Sequence, residues 1–260
     1  MHRALILAAL SVAAPITVSA SPAASHGPLP SPKVSAASRG DVVQIPTDDD
    51  LQLAGTYFEP RKGRSPGVLL VHDAGADRSQ LDKIASSLHK KGFGVLTVDL
   101  RGHGESKTDD IDWSSYDADA RSTLWQQAPR DVEAAAGWLL DQKNIHSTNL
   151  SLIGYQSGCA LVARHAERDE NVMSMLLLSP RPEEFGFDVQ RTIENVSGLP
   201  TCVIDGRNDE TARMVQEVNG DHPWIDHLVV SKSSVLDDRK TPGKVGSWLA
   251  EVAMPKKGRG

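Results

Sequence analysis

The feature that most restricts the fold is an alternation of two hydrophobic periods along nearly the whole chain. Short apolar runs, suited to strands buried on both faces, recur at Gly67–Val71, Gly94–Leu100, Leu150–Ile153, Met173–Leu178, Pro200–Ile204 and His227–Val230. Between them apolar residues fall three and four apart, predicting helices. Gln80–Lys91 shows this through Leu81, Ile84, Ala85 and Leu88, and Asp131–Leu140 through Val132, Ala135, Ala136 and Leu139. Ser157–Glu167, Thr211–Val218 and Lys244–Val252 follow the same pattern. Strands separated by helices predict an α/β protein whose sheet is mostly parallel, with right-handed crossovers. Ahead of this, Val42–Ile45 and Leu51–Phe58 read as two strands joined across Thr47-Asp48-Asp49-Asp50, which puts an antiparallel hairpin at one edge. The acidic run lacks the glycine and distal glutamate of a calcium loop and reads as a turn. There is no internal repeat, and 41–254 read as one domain.

The ends fall outside the pattern. Met1-His2-Arg3 gives a positive start, Ala4 to Ala14 is an apolar run too short to span a bilayer comfortably, and Val18-Ser19-Ala20 offers the small residues a signal peptidase needs. This predicts a signal peptide over 1–20, an extracytoplasmic location (periplasmic or secreted) and no stable membrane anchor after cleavage. Residues 21–40, rich in Ser, Ala, Pro and Gly, read as a flexible lead-in, and 255–260, with Lys256, Lys257 and Arg259, as a solvated basic tail. The net charge of −6 argues against nucleic acid as a partner, because neutralising phosphates needs a basic face. Cys159 and Cys202 fall in apolar segments and read as buried free thiols. No spacing of Cys and His suggests a metal, and nothing points to a cofactor.

Chemistry in such sheets collects at the carboxyl ends of the strands. One end reads Gly154-Tyr155-Gln156-Ser157-Gly158, the spacing of the nucleophile elbow G-x-S-x-G. Gly154 and Gly158 fit the tight strand-to-helix turn, where a side chain would collide with its neighbours. The central residue is Gln156, and a carboxamide is not a nucleophile. A second end reads His72-Asp73-Ala74-Gly75, the place of an oxyanion-hole N–H. There Asp73 would oppose a developing oxyanion if it points inward, and would be harmless if it faces solvent.

The strings VLLVHDAGADRS, GVLTVDLRGHGES, LSLIGYQSGCA, LLLSP and DGRNDE resemble the α/β-hydrolase superfamily in order and spacing. They are similar to its small, lidless members related to serine aminopeptidase-like and dienelactone-hydrolase-like proteins, over about residues 41–252. The resemblance implies an eight-stranded sheet with helices on both faces, no large lid, and a Ser–His–Asp triad. Position by position, it carries the nucleophile to Gln156, the acid to Asp209 and the base near Ser234, in a loop without histidine. It carries the oxyanion hole to Asp73, Ala74 and Ser157.

With two triad positions lost together, the chain reads as a pseudo-hydrolase, binding a small polar ligand or a protein partner. The alternatives are an active esterase or peptidase with a non-standard nucleophile, and a non-hydrolytic enzyme such as a lyase. Ser157 is expected to cap the helix after the elbow rather than act as a displaced nucleophile. Cys159 is expected in the core, His103 as a structural loop residue, His72 as a support of the oxyanion loop, and Trp113, Tyr116 and Trp125 packed against the sheet. His222 and His227 lie before or inside a strand, away from the elbow. The short stretch from Arg181 to Ser197 predicts an open, shallow crevice.

Overall fold

The two hydrophobic periods are satisfied by a twisted eight-stranded sheet between two layers of helices, seen in a computed structural model that describes residues 40–254 apart from His222. The predicted signal peptide, all but the last residue of the lead-in, the basic tail and His222 lie outside the described residues. The chain opens with β1 (Asp41–Pro46) and β2 (Gln52–Phe58), which pair antiparallel as expected. The turn between them is closed by the Thr47 hydroxyl, which donates to Asp49 at 2.6 Å. Next come β3 (Ser65–Val71), α1 (Asp82–Lys91) and β4 (Gly94–Val98). Then follow α2 (Ala118–Gln127), α3 (Pro129–Leu140), β5 (Ile145–Tyr155), α4 (Gly158–Ala166) and β6 (Val172–Leu178). A small hairpin of β7 (Glu183–Glu184) and β8 (Phe187–Asp188) leads into α5 (Val189–Asn195). The chain closes with β9 (Thr201–Asp205), α6 (Asp209–Asn219), β10 (Ile225–Val229) and α7 (Thr241–Val252).

The strand order is β1-β2-β4-β3-β5-β6-β9-β10, antiparallel only where β2 meets β1 and β4. Alternate residues of the central strands feed two cores. Leu69, Val71, Leu152, Met175 and Val203 pack with Val132, Leu139 and Leu161 of α3 and α4 on one face. Val68, Leu70, Ile153, Leu176 and Ile204 pack with Ile84, Leu88, Val245 and Leu249 of α1 and α7 on the other. Burial on both faces explains why the strands read as unbroken apolar runs rather than alternating ones.

The order also locates a site. From β3 the chain steps to β4 on one side and returns to β5 on the other, so connections diverge above β3 and β5. Val71 and Gly154 are register partners there, which brings the segment after His72 beside the segment after Tyr155.

Three elements differ from the sequence reading. The helix α2 was not anticipated, because only Leu124 and Trp125 of its ten residues are buried and no helical period shows. Arg181 to Ser197 contains the hairpin and α5, pinned by Asp188 accepting the Arg191 N–H at 2.9 Å. The loop after β9 starts α6 at Asp209 rather than Thr211, because the Asn208 side chain accepts the N–H groups of Glu210 and Thr211 at 2.9 and 3.5 Å.

Candidate functional site

The turn at the end of β5 has the backbone of a strained elbow. Gln156 sits at φ 46°, a left-handed conformation rare for a residue with a side chain. Its N–H donates to Leu178 O at 2.8 Å and its carbonyl accepts the Cys159 N–H at 2.9 Å, so the turn is held from both sides. The two glycines are required by close approach. A Cβ on Gly154 would lie 2.6 Å from Cys159 Cα, and one on Gly158 would lie 2.6 Å from the carbonyl oxygens of Val71 and His72.

The Gln156 carboxamide donates from Nε2 to the Tyr155 hydroxyl at 3.0 Å. Burial raises the Tyr155 phenol above its ordinary pKa, partly offset by Ser234 and Gln156. The residue at position 156 is therefore tied to a tyrosine that the sequence reading passed over as the variable residue of the elbow. Asp209 does not join them in the hydrogen-bond network. It is exposed at the first turn of α6, and its carboxylate makes no hydrogen bond or ion pair among the described residues. The buried carboxylate at this strand end is Asp205. It accepts the N–H groups of Arg207 and Asn208 at 2.7 and 3.3 Å and meets His227 Nε2 at 2.5 Å.

Around Asp73 the expected oxyanion positions converge, with Asp73 turned inward. Its Oδ1 accepts the Ser157 N–H at 3.2 Å and the Ser157 hydroxyl at 2.7 Å. Ser157 Oγ in turn accepts the Ala74 N–H at 2.7 Å. Asp73 N–H donates to Gln80 Oε1 at 3.0 Å, and Gly75 N–H to His103 Nε2 at 3.0 Å. The three successive amides of Asp73, Ala74 and Gly75, and that of Ser157, thus already hold internal acceptors. The expectation that Ser157 caps α4 is corrected. Its backbone is already helical (φ −62°, ψ −24°), whereas a capping side chain needs an extended residue, so its hydroxyl turns to the loop after β3 instead.

Both nearby imidazoles are structural. His72 donates from Nδ1 to Asp73 O at 2.7 Å and accepts the Leu100 N–H on Nε2 at 3.1 Å. His103 donates from Nδ1 to Arg101 O at 2.9 Å, with Nε2 held by Gly75. Burial lowers both pKa values, that of His103 to about 4 with the nearby His72 adding to the effect. Neither has a free lone pair to act as a base. His103 also packs on Trp113 at 4.8 Å and Trp125 at 5.7 Å, and Phe185 of the hairpin loop lies 5.9 and 5.7 Å from those two rings. Trp113 and Trp125 are thus packing residues, while the Tyr116 hydroxyl donates locally to Asp110 O at 2.6 Å. The rest of the RGHGES string is scaffold. Asp99 accepts the N–H groups of Arg78 and Glu105 at 2.6 and 2.8 Å, and Arg101 bonds Asp131 and Asp49.

Besides Asp205, sequence reasoning missed a second acid. Glu184, on the small hairpin, has its pKa raised by burial and by the Asp73 charge, against the lowering effect of Arg181 at 3.0 Å. Its signal was absent because the hairpin that places it was not predicted. Cys159 and Cys202 are free, buried and unreactive, burial pushing their thiols up, Cys202 to about 12. Among the described residues no group of three or more His, Cys, Asp or Glu side chains is arranged to hold a metal ion.

Residues 68–251 match the sequence profile of the Alpha/beta hydrolase family. The chain belongs to that family. An uncharacterized protein of Mycobacterium tuberculosis is 30% identical over 138 residues, covering 53% of this chain and 44% of that protein. The AB hydrolase superfamily protein YisY of Bacillus subtilis is 27% identical over 132 residues, covering 50% of this chain and 43% of that protein. The chain thus spans less than half the length of these curated family relatives. Among solved structures, the Pyrococcus furiosus esterase Pf2001 superposes with a TM-score of 0.65 at 18% identity, over 82% of this chain and 93% of that one. A hypothetical protein of Pseudomonas aeruginosa does so with a TM-score of 0.65 at 13% identity, over 84% of this chain and 95% of that one. Identities this low speak for the fold, and the sheet and its flanking helices agree with it.

Proposed function

We propose that this member of the α/β-hydrolase family is an exported pseudo-hydrolase, whose crevice holds a small polar ligand or a protein partner instead of running acyl transfer. The observation that carries this reading is the internal closure around Asp73. An oxyanion hole works because its donors are free to meet charge that develops in the transition state. Here the Ser157 and Ala74 amides are already bonded, one of them to a carboxylate whose charge opposes a second anion. Glutamine at the elbow and the loop without histidine at Ser234 support the same reading. Loss of nucleophile or base alone costs roughly 10⁶ in kcat in a serine protease of another fold.

One contact favours a different reading, an active hydrolase with Ser157 as nucleophile, since its hydroxyl lies 2.7 Å from a carboxylate. Against it, Ser157 is 1% exposed and its hydroxyl also accepts the Ala74 N–H. Fluorophosphonate labelling, read by intact mass and peptide mapping with Ser157→Ala as control, separates the two. The pseudo-hydrolase reading expects no adduct on folded protein. An adduct on the peptide bearing Ser157 would sink it.

Export rests on the charged start, the apolar run and Val18-Ser19-Ala20. Intact mass of the protein recovered outside the cytoplasm is expected to show a chain beginning at Ser21. Full-length protein confined to the cytoplasm would refute it.

A further inference from the structure

The segment between β6 and α5 is fastened at its ends and strained at its tip. At the base, Pro182 O accepts the N–H groups of Val189 and Gln190 at 2.8 and 3.1 Å, and Pro180 O accepts the Thr211 hydroxyl at 2.9 Å. Between these clamps β7 and β8 pair over two residues each, Glu183 with Asp188 and Glu184 with Phe187. A two-stranded hairpin is marginal in water even when it is longer, so this one needs outside support. Its turn supplies none. Phe185 holds φ 48°, a left-handed conformation that is costly for a bulky side chain, next to Gly186 at φ 78°.

The tip is held by one ring and one hydrogen bond. The Phe185 ring stands edge-on to Trp113 at 5.9 Å and tilted against Trp125 at 5.7 Å, and its carbonyl accepts Gln126 Nε2 at 3.2 Å. Phe187, next to the clamped end, packs under Arg164 at 5.6 Å. Trp113 links the tip to the elbow, because its Nε1 lies 3.0 Å from where a Cβ on Gly75 would be, in the loop that carries Asp73 and Ala74. Burial and the charge of Asp73 raise the Glu184 pKa, and two neighbouring carboxylates work against the closed position. Trp125, beneath the ring, is buried. We propose that the β7–β8 hairpin is a strap that opens and closes over the Asp73 side of the elbow crevice, with the Phe185 ring in its Trp113–Trp125 slot as the catch. Withdrawal of the ring parts Glu184 from Asp73 and uncovers Trp125, while the clamps at Pro180 and Pro182 keep the ends in place. The device is independent of whether the crevice binds or catalyses.

The test is native-state amide exchange on the full protein, comparing residues 183–188 with β9. Strap amides are expected to exchange more slowly than in the unfolded chain, by a local opening whose rate stays flat in urea below the unfolding transition. Those of β9 are expected to depend steeply on urea. Strap amides as fast as in the unfolded chain, or amides that follow β9 in urea, overturn the proposal. In Phe185→Gly two effects oppose. Glycine suits the left-handed turn and would slow exchange if the turn held the hairpin. Loss of the ring is expected to speed exchange by about tenfold or more. Exchange that is unchanged or slower in this variant removes Phe185 as the catch and overturns the proposal. Should Phe185→Gly not fold, Gln126→Ala removes the bond to the Phe185 carbonyl from outside the strap. It is expected to speed exchange there by about threefold, and no change would count against the proposal in the same way.

Discussion

At Asp73 a single carboxylate oxygen serves both the N–H and the hydroxyl of Ser157, beneath a surface that excludes most water from the serine. Asp73→Ala leaves both donors without an acceptor and should lower stability by about 1–3 kcal/mol, measured as the urea midpoint. Asp73→Asn keeps one acceptor oxygen in place and should lose less. An unchanged midpoint for Asp73→Ala would mean that the loop relaxes and the network is incidental. This residue marks the limit of what could be read from the chain. The elbow glycines were legible because each is forced by backbone atoms at 2.6 Å, a requirement independent of any side chain. The direction of Asp73 was not, since it depends on the Ser157 hydroxyl turning away from its own helix. That in turn depends on a helical backbone at the start of α4. Tyr155 was hidden for a related reason: only the folded elbow turns the Gln156 carboxamide onto its hydroxyl.

Among the elements, those buried on two faces announced themselves and those packed at one edge did not. The strands β3 and β4 are buried at every position, so composition alone marks them. The strand β5 was underestimated because, after the buried Ile145, the residues from His146 to Asn149 are polar and exposed or only partly covered. Helix α6 depends on its cap as much as on its apolar face. Asn208→Ala removes the acceptor for the Glu210 and Thr211 amides and should cost about 1 kcal/mol in chemical denaturation. Asn208→Asp keeps an acceptor there and should be close to neutral, which separates capping from a general effect of substitution. The position of this cap also explains why Asp209 stands in solvent, as the first helical residue beyond it.

For the molecule as a whole, the buried imidazoles set the response to acid. Burial lowers the pKa of His72, His89 and His165, and with the nearby His72 it holds His103 at about 4. A depressed imidazole pKa favours the neutral form in the fold, so the unfolded chain takes up protons first as pH falls. The stability it contributes is complete above about pH 6.5 and is lost on the way down to the folded value. His103 alone should remove about 2 kcal/mol between about pH 7 and about pH 5, a window above most carboxylate titration. Urea midpoints across that range measure it, and a flat profile would show that His103 charges inside the fold without penalty. Topology was the most legible property at this scale: the order of apolar runs requires a parallel sheet, and the reversal beside β3 places the crevice. On the proposed pseudo-hydrolase reading, the occupied amides at that crevice also act as a ratchet. Gln156→Ser without a base, or Ser234→His without a serine, yields no activity for selection to retain, and both together still face a carboxylate where negative charge must gather. Removing that carboxylate first lowers stability with nothing gained. On that reading a path back to hydrolysis needs coincident changes, while sequence drift at the other positions of the crevice stays open.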